Sequence, residues 1–322
     1  MSAIYTAWST PPEADVTQPS YPTNGPRKVE GTDRDVQGST PGMDTLDRSP
    51  STIGPRSTTA LVLVAHGKAS DTVVPDCLDI HAERISRLCI ADHLLTAYLA
   101  HPPHVSNLHE RFDELRIREA VIVPLFTGRG YYVDVALPRA LERPDATAGE
   151  NVCAIHVTPP VGDHPRIGSL LAAAARRAIV AARFDPHRTA VVLCGHGTLR
   201  HPASGDSTRR HVDRLATALD VASVLAVFLD QPPQIEDVYD MTPAENLVVV
   251  PDLVGGGRHA IDDLPRRWGL PSGGFMTTQQ TRGRSIIITE PVYRHESVSD
   301  LITRLARDRG IPLRAGDRNA TP

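Results

Sequence analysis

The chain has 322 residues, of which 40% are hydrophobic and 22% charged, with a formal charge of -4, so it holds enough apolar material for one large or two medium folded domains. Its mixed acids and bases exclude a nucleic acid or an anionic membrane held by bulk electrostatics, but leave room for a charged small molecule. Its apolar runs are strand-sized, far short of the roughly 20 residues that cross a bilayer, and the start lacks a basic segment followed by an apolar run, so the expected location is the cytoplasm.

Residues 1–58 are rich in Pro, Ser, Thr and Gly without a period of 2 or 3.6, which predicts a disordered tail. From Thr59 short apolar runs alternate with longer amphipathic stretches, the pattern of a parallel sheet covered by helices. Strands are predicted at 60–64, 94–99, 120–123 and 152–157, within a first half spanning 59–164. A linking helix, with AAAARRAIVAAR in its middle, falls within 165–188. Strands at 190–193, 223–229, 247–250 and 285–289 make a second half spanning 189–310, and 311–322 is expected to be a flexible tail. The expected fold class is α/β, two tandem doubly wound halves with a four-stranded parallel sheet each. The four cysteines, Cys77, Cys89, Cys153 and Cys194, form no CxxC pair and read as buried free thiols.

The halves are copies. AHG at 65–67 matches GHG at 195–197, and YLAHPPHV at 98–105 matches FLDQPPQI at 228–235, both at a shift of 130 residues. VPLFTGRGYYVDVALP at 123–138 matches VPDLVGGGRHAIDDLP at 250–265, and TPPVGDH at 158–164 matches TEPVYRH at 289–295. Four blocks in one order at a nearly constant offset mark an internal repeat.

In each half a strand ends in His-Gly, at His66-Gly67 and His196-Gly197, which places an imidazole at the carboxyl end of a parallel strand, where open α/β sheets bind ligands. The second half adds Asp230 after its second strand and His259 after its third; the first half has Ala100 and Tyr132 there. Two imidazoles and a carboxylate suit Co²⁺, Fe²⁺, Ni²⁺ or Zn²⁺ with positions left open, so His196, Asp230 and His259 are the predicted metal ligands and catalytic residues. Two further histidine groups read as structural: His101, His104 and His109 as an exposed face, and His164 and His295, at matched positions, as capping or turn residues.

These residues resemble the class II tetrapyrrole chelatases, in particular the CbiX-like sirohydrochlorin cobaltochelatases and ferrochelatases. The resemblance covers roughly residues 59–307 and rests on the strand-His-Gly start, the FL-acid-x-P block and the VVP…G-x-H-x-x-x-D-[IL]-P block. It implies a cleft between two similar halves that takes a carboxylate-rich tetrapyrrole, with His196, Asp230 and His259 binding the incoming metal and helping to remove pyrrole protons. Arginines would grip the substrate carboxylates; Arg129, Arg200, Arg209, Arg210 and Arg258 lie in or beside the relevant loops, with His66 and Tyr132 on the opposite wall. The family usually has Glu where this chain has Asp230, with Glu236 on the next turn as a second candidate for the acid, and Asp252 and Arg258 add charge to a loop that is more apolar or hydroxyl-rich in many relatives.

The implied function is metal insertion into sirohydrochlorin, for cobalamin or siroheme biosynthesis. It uses Co²⁺, Fe²⁺ or Ni²⁺ and no nucleotide cofactor, there being no GxxxxGK[ST], and the chain is expected to act as a monomer or homodimer. The alternatives are a chelatase-like fold turned to another metal-dependent reaction on a small molecule, or a non-catalytic metal or tetrapyrrole carrier.

Overall fold

Aliphatic runs bounded by polar turns form strands because each buries both faces in a sheet covered on two sides. In the computed structural model, which describes residues 58–67, 77–143, 152–199, 201–254 and 264–309, the first half contains β1 (Thr59–Ala65), α1 (Cys77–Ser86), β2 (His93–Tyr98), α2 (Leu108–Glu114), β3 (Glu119–Pro124), α3 (Leu137–Ala140) and β4 (Ala154–Val157). The four strands are parallel in the order β2-β1-β3-β4. After the linking helix α4 (Pro165–Ala182) the second half repeats the plan with β5 (Thr189–Gly195), α5 (Asp206–Ala218), β6 (Ser223–Phe228), α6 (Val238–Met241), β7 (Asn246–Pro251), α7 (Leu264–Arg267), β8 (Gln279–Thr281), β9 (Arg284–Ile288) and α8 (Glu296–Arg307). The N-terminal tail, apart from Thr58, and the expected C-terminal tail at 311–322 lie outside the described residues.

The second sheet departs from the four-stranded expectation. Its order is β6-β5-β7-β9-β8, and β8 pairs antiparallel with β9. The hairpin turns on Arg282 and Gly283, both at positive φ (50° and 76°), the conformation that keeps a two-residue turn in step with strand twist. Arg-Gly lacks the usual Asn-Gly or Asp-Gly signature of such a turn, and three residues are too few for an alternating pattern, so the strand was not visible in the sequence.

Helix α4 starts on Pro165, with the His164 Nδ1 accepting from Arg166 N, and ends where Arg183 turns left-handed at φ 55°. His295 caps α8 in the same way through Ser297 N, which gives both matched histidines the capping role expected of them. Leu171, Ala175 and Ala178 of α4 are fully buried in a core that also takes in β5, β7, α8 and alternate residues of β1. A second core lies under α2 and α3.

Contacts between the halves follow the repeat. His81 on α1 bonds through Nδ1 to Ser299 Oγ on α8 at 2.8 Å. At the matching place His211 on α5 donates from Nε2 to Gly162 O, just before α4, at 2.8 Å. Both histidines are fully buried. The first helix of each half is thus docked where the closing helix of the other half begins.

Candidate metal-binding site at the strand ends

In both sheets the strand order reverses beside the first strand, at β1 and β5, and that reversal opens the crevice in which such sheets bind ligands. His66 and His196 follow those two strands directly. Gly67 and Gly197 have φ of 72° and 68°, and a Cβ there would lie 2.8 Å from the Tyr98 Cβ and 2.5 Å from the Gln231 Cγ. The glycine of each His-Gly pair is therefore required both for its backbone and for space.

The turn sets the tautomer. His66 Nδ1 lies 2.6 Å from Gly67 O and His196 Nδ1 lies 2.9 Å from Gly197 O. A carbonyl only accepts, so Nδ1 carries the proton and Nε2 the lone pair. Beside His196, Asp230 N donates to the His196 carbonyl at 3.0 Å, which brings the Asp230 carboxylate to 3.3 Å from the same Nδ1. That carboxylate helps to orient the ring. Ala100 N makes the equivalent bond to the His66 carbonyl at 2.8 Å but brings no acid.

Glu236, the other candidate acid, is engaged elsewhere. Arg267 Nη2 bonds both of its oxygens at 2.9 and 3.2 Å, while Arg267 Nη1 donates to Leu229 O, next to Asp230. This clamp ties α7 to the end of β6, and the sequence carries no sign of it because the partners stand 31 residues apart. Another residue missed in the sequence is Gln231, buried beneath the His196 turn, whose side-chain oxygen accepts from Thr198 N at 3.0 Å.

The first half presents an aromatic patch instead of acid and second imidazole. The Tyr132 ring meets His66 edge-on at 4.3 Å between centroids, stacks on Phe126 at 6.3 Å and touches Tyr131 at 5.6 Å. Both tyrosines are exposed. Arg129 is held by Asp134, with Nε and Nη2 at 3.0 and 2.9 Å from Oδ1. Arg210 pairs with Asp163, and Arg209 lies over the Phe228 ring with Asp206 beside it. His259, Arg258 and Arg200 lie outside the described residues.

His101 bonds Pro102 O and His109 bonds Leu141 O, while His104 bridges to Tyr98. Among the described residues no three His, Cys, Asp or Glu side chains gather to hold a metal ion, so His101, His104 and His109 form no such cage. Asp252, expected on a charged loop, is instead fully buried, because its backbone continues the sheet through a bond to Cys194 O. No described helix is long and apolar enough to cross a membrane.

Comparison with known proteins agrees with this architecture. The CbiX family model matches the chain twice, over residues 60–178 and 190–309. A curated relative from Halobacterium salinarum, named a probable sirohydrochlorin cobaltochelatase, is 28% identical over 275 residues, covering 79% of this chain and 92% of its own length. The fold is similar to that of CbiX, described as the terminal enzyme for biosynthesis of siroheme in denitrifying bacteria, with a TM-score of 0.58 and 24% identity over 79% of this chain and 99% of the other. SirB from Bacillus subtilis with Fe³⁺ superposes with a TM-score of 0.59 at 15% identity, over 80% of this chain and 99% of the other. Matched over most of its length, once per half, the chain belongs to the CbiX family.

Proposed function

We propose that this protein is a metal chelatase that inserts a divalent ion, Co²⁺ or Fe²⁺, into sirohydrochlorin in the cytoplasm, with one asymmetric metal site per chain. The observation that carries the reading is His196: its Nδ1 is taken up by Gly197 O and the Asp230 carboxylate, which leaves the ring's lone pair on Nε2 at the strand end. The name of the Halobacterium relative supports a tetrapyrrole as substrate.

Insertion replaces two pyrrole protons by the metal, so the site needs a base and a loose hold on the ion. A neutral imidazole performs both tasks near pH 7. Three ligands leave positions open for hand-over, where a closed set of four would retain the ion. His196, Asp230 and His259 are assigned to the metal, with Asp230 also orienting the His196 ring. His66, Tyr132 and the arginines Arg129, Arg200 and Arg258 are assigned to the substrate; Tyr132 offers a ring for a planar macrocycle, and Arg129 exchanges Asp134 for a substrate carboxylate. The metal and the tetrapyrrole are both substrates, so no resident cofactor is required.

The test is anaerobic incubation of the purified protein with sirohydrochlorin and Co²⁺ or Fe²⁺, followed by absorbance. Metallation over many turnovers is expected, abolished in His196→Ala and in His259→Ala. Wild-type rates in both variants would overturn the assignment, and stoichiometric binding without turnover would make the protein a carrier.

A further inference from the structure

Matching the halves by their offset isolates one place where the second breaks the pattern of its own core. After the third strand the first half has Leu125, 1% exposed, and the second has Asp252, 0% exposed. Both make the same backbone bond, Leu125 N to Val64 O and Asp252 N to Cys194 O. The surroundings change in step: Leu78 and Ala65 in the first half have Thr208 and Gly195 as counterparts. The Thr208 hydroxyl oxygen stands 2.6 Å from where a Cβ on Gly195 would be, so it fills the space that only a glycine leaves open. An apolar trio in one half is replaced by an acid, a hydroxyl and a bare backbone in the half that carries His196 and Asp230.

Burying a carboxyl destabilises a fold unless its oxygens find partners, and among the described residues neither oxygen of Asp252 makes a well-formed hydrogen bond, the Thr208 hydroxyl being placed to offer at most a weak one. The groups that face it are His211, Thr208 and Asp163. His211 Nε2 donates to Gly162 O at 2.8 Å, and its Nδ1 lies 3.4 Å from Arg214 Nη1. Burial pushes the Asp252 carboxyl above the ordinary range, Asp163 pushes the same way, and His211 and Thr208 oppose it. Asp252 is thus a carboxyl enclosed in the core, with the Thr208 hydroxyl beside it. A core that gives up stability in this way, and only in the half with the ligand set, is a sign of function.

We propose that Asp252 is a positioning residue for His196: with Thr208 beneath Gly195 it seats the end of β5 and sets the direction of the imidazole that follows. This rests on the reading of His196 as a site residue. The experiment follows the His196 ring by ¹⁵N-histidine NMR in the full, metal-free chain, with Co²⁺ titration as a second readout. Asp252→Leu installs the first half's residue and Asp252→Asn keeps a hydrogen-bonding group of nearly the same shape. Asp252→Leu is expected to fold with equal or greater thermal stability, to shift or split the His196 signals and to weaken Co²⁺ binding about tenfold, in the range for loss of a group that supports a ligand; Asp252→Asn is expected to keep both near wild type. Unchanged His196 signals in Asp252→Leu, or an Asp252→Asn variant as disturbed as Asp252→Leu, would overturn the proposal. Should Asp252→Leu fail to fold, the isosteric Thr208→Val takes its place in the same comparison. Because the ring is observed without substrate, a protein that does not metallate sirohydrochlorin would refute the chelatase reading while leaving this result to be judged separately.

Discussion

Acidification should loosen the joint between the halves, and His81 is the group through which it acts. The side chain is fully buried between α1 and α8, with Nδ1 bonded to Ser299 Oγ. Burial lowers its pKa from 6.5 to about 4, with the Arg84 guanidinium acting in the same direction and the Tyr293 backbone opposing it. Between those two values the unfolded chain binds a proton that the folded chain refuses, so stability rises with pH. The contribution is fully present above the unfolded pKa and is lost as pH falls through the folded one. At about 1.4 kcal/mol for each pH unit between the two values, the loss is about 2 kcal/mol by pH 5 and about 3 kcal/mol by pH 4.

Carboxylates elsewhere also titrate in this range, so the assay is the difference between wild type and His81→Gln in urea unfolding from pH 7.5 to pH 4.5. Glutamine can keep a bond to Ser299 without gaining charge. At pH 7.5 the variant is expected to be less stable by about 1 kcal/mol, the scale of one imperfect hydrogen bond. Near pH 5 it should equal or exceed wild type. A gap between the two that stays constant across the pH range would refute the argument.

Other consequences are open to direct measurement. In metallation assays His196→Ala is expected to lower the rate by 100-fold or more, on the order of losing a general base, and Asp230→Asn by about 10- to 100-fold, the range for losing a ligand's carboxylate support. Glu236→Gln should leave the rate within about twofold and change stability by no more than about 1 kcal/mol, since the Arg267 pair is partly exposed. Tyr132→Ala should raise KM for the tetrapyrrole several-fold, from a stacking contribution of about 1 kcal/mol, and leave KM for the metal unchanged. Alkylation read by mass spectrometry should mark Cys89, which is exposed and not buried as its sequence suggested, and spare the buried Cys153 and Cys194: burial, with help from Asp113 and Glu119, pushes the Cys153 thiol up to about 11, and burial raises Cys194 further.

Much of the fold was legible in the chain because its signals are local. Strands β1, β3, β5 and β7 are continuous aliphatic runs buried on both faces, and α4 is an alanine-rich stretch with a proline at its start. The antiparallel β8 was not legible, since its register is set by pairing with β9 and its turn uses an arginine at positive φ. The same division runs through the site. The strand-end places of His196 and Asp230 follow from the repeat, whereas the engagement of Glu236 is set by Arg267, which reaches it from α7.

The sequence by itself determined the duplication, the α/β pattern of each half and the loss of the acid and second imidazole from the first, because these depend on residue order and short-range periodicity. Tertiary structure alone decided which nitrogen of His196 carries the proton, which carboxylate stands beside it, and that Asp252 is enclosed in the core and not displayed on a loop. The reason is physical: hydrogen-bond partners and burial are properties of space, and the strands and helices that supply them here are brought together from distant parts of the chain.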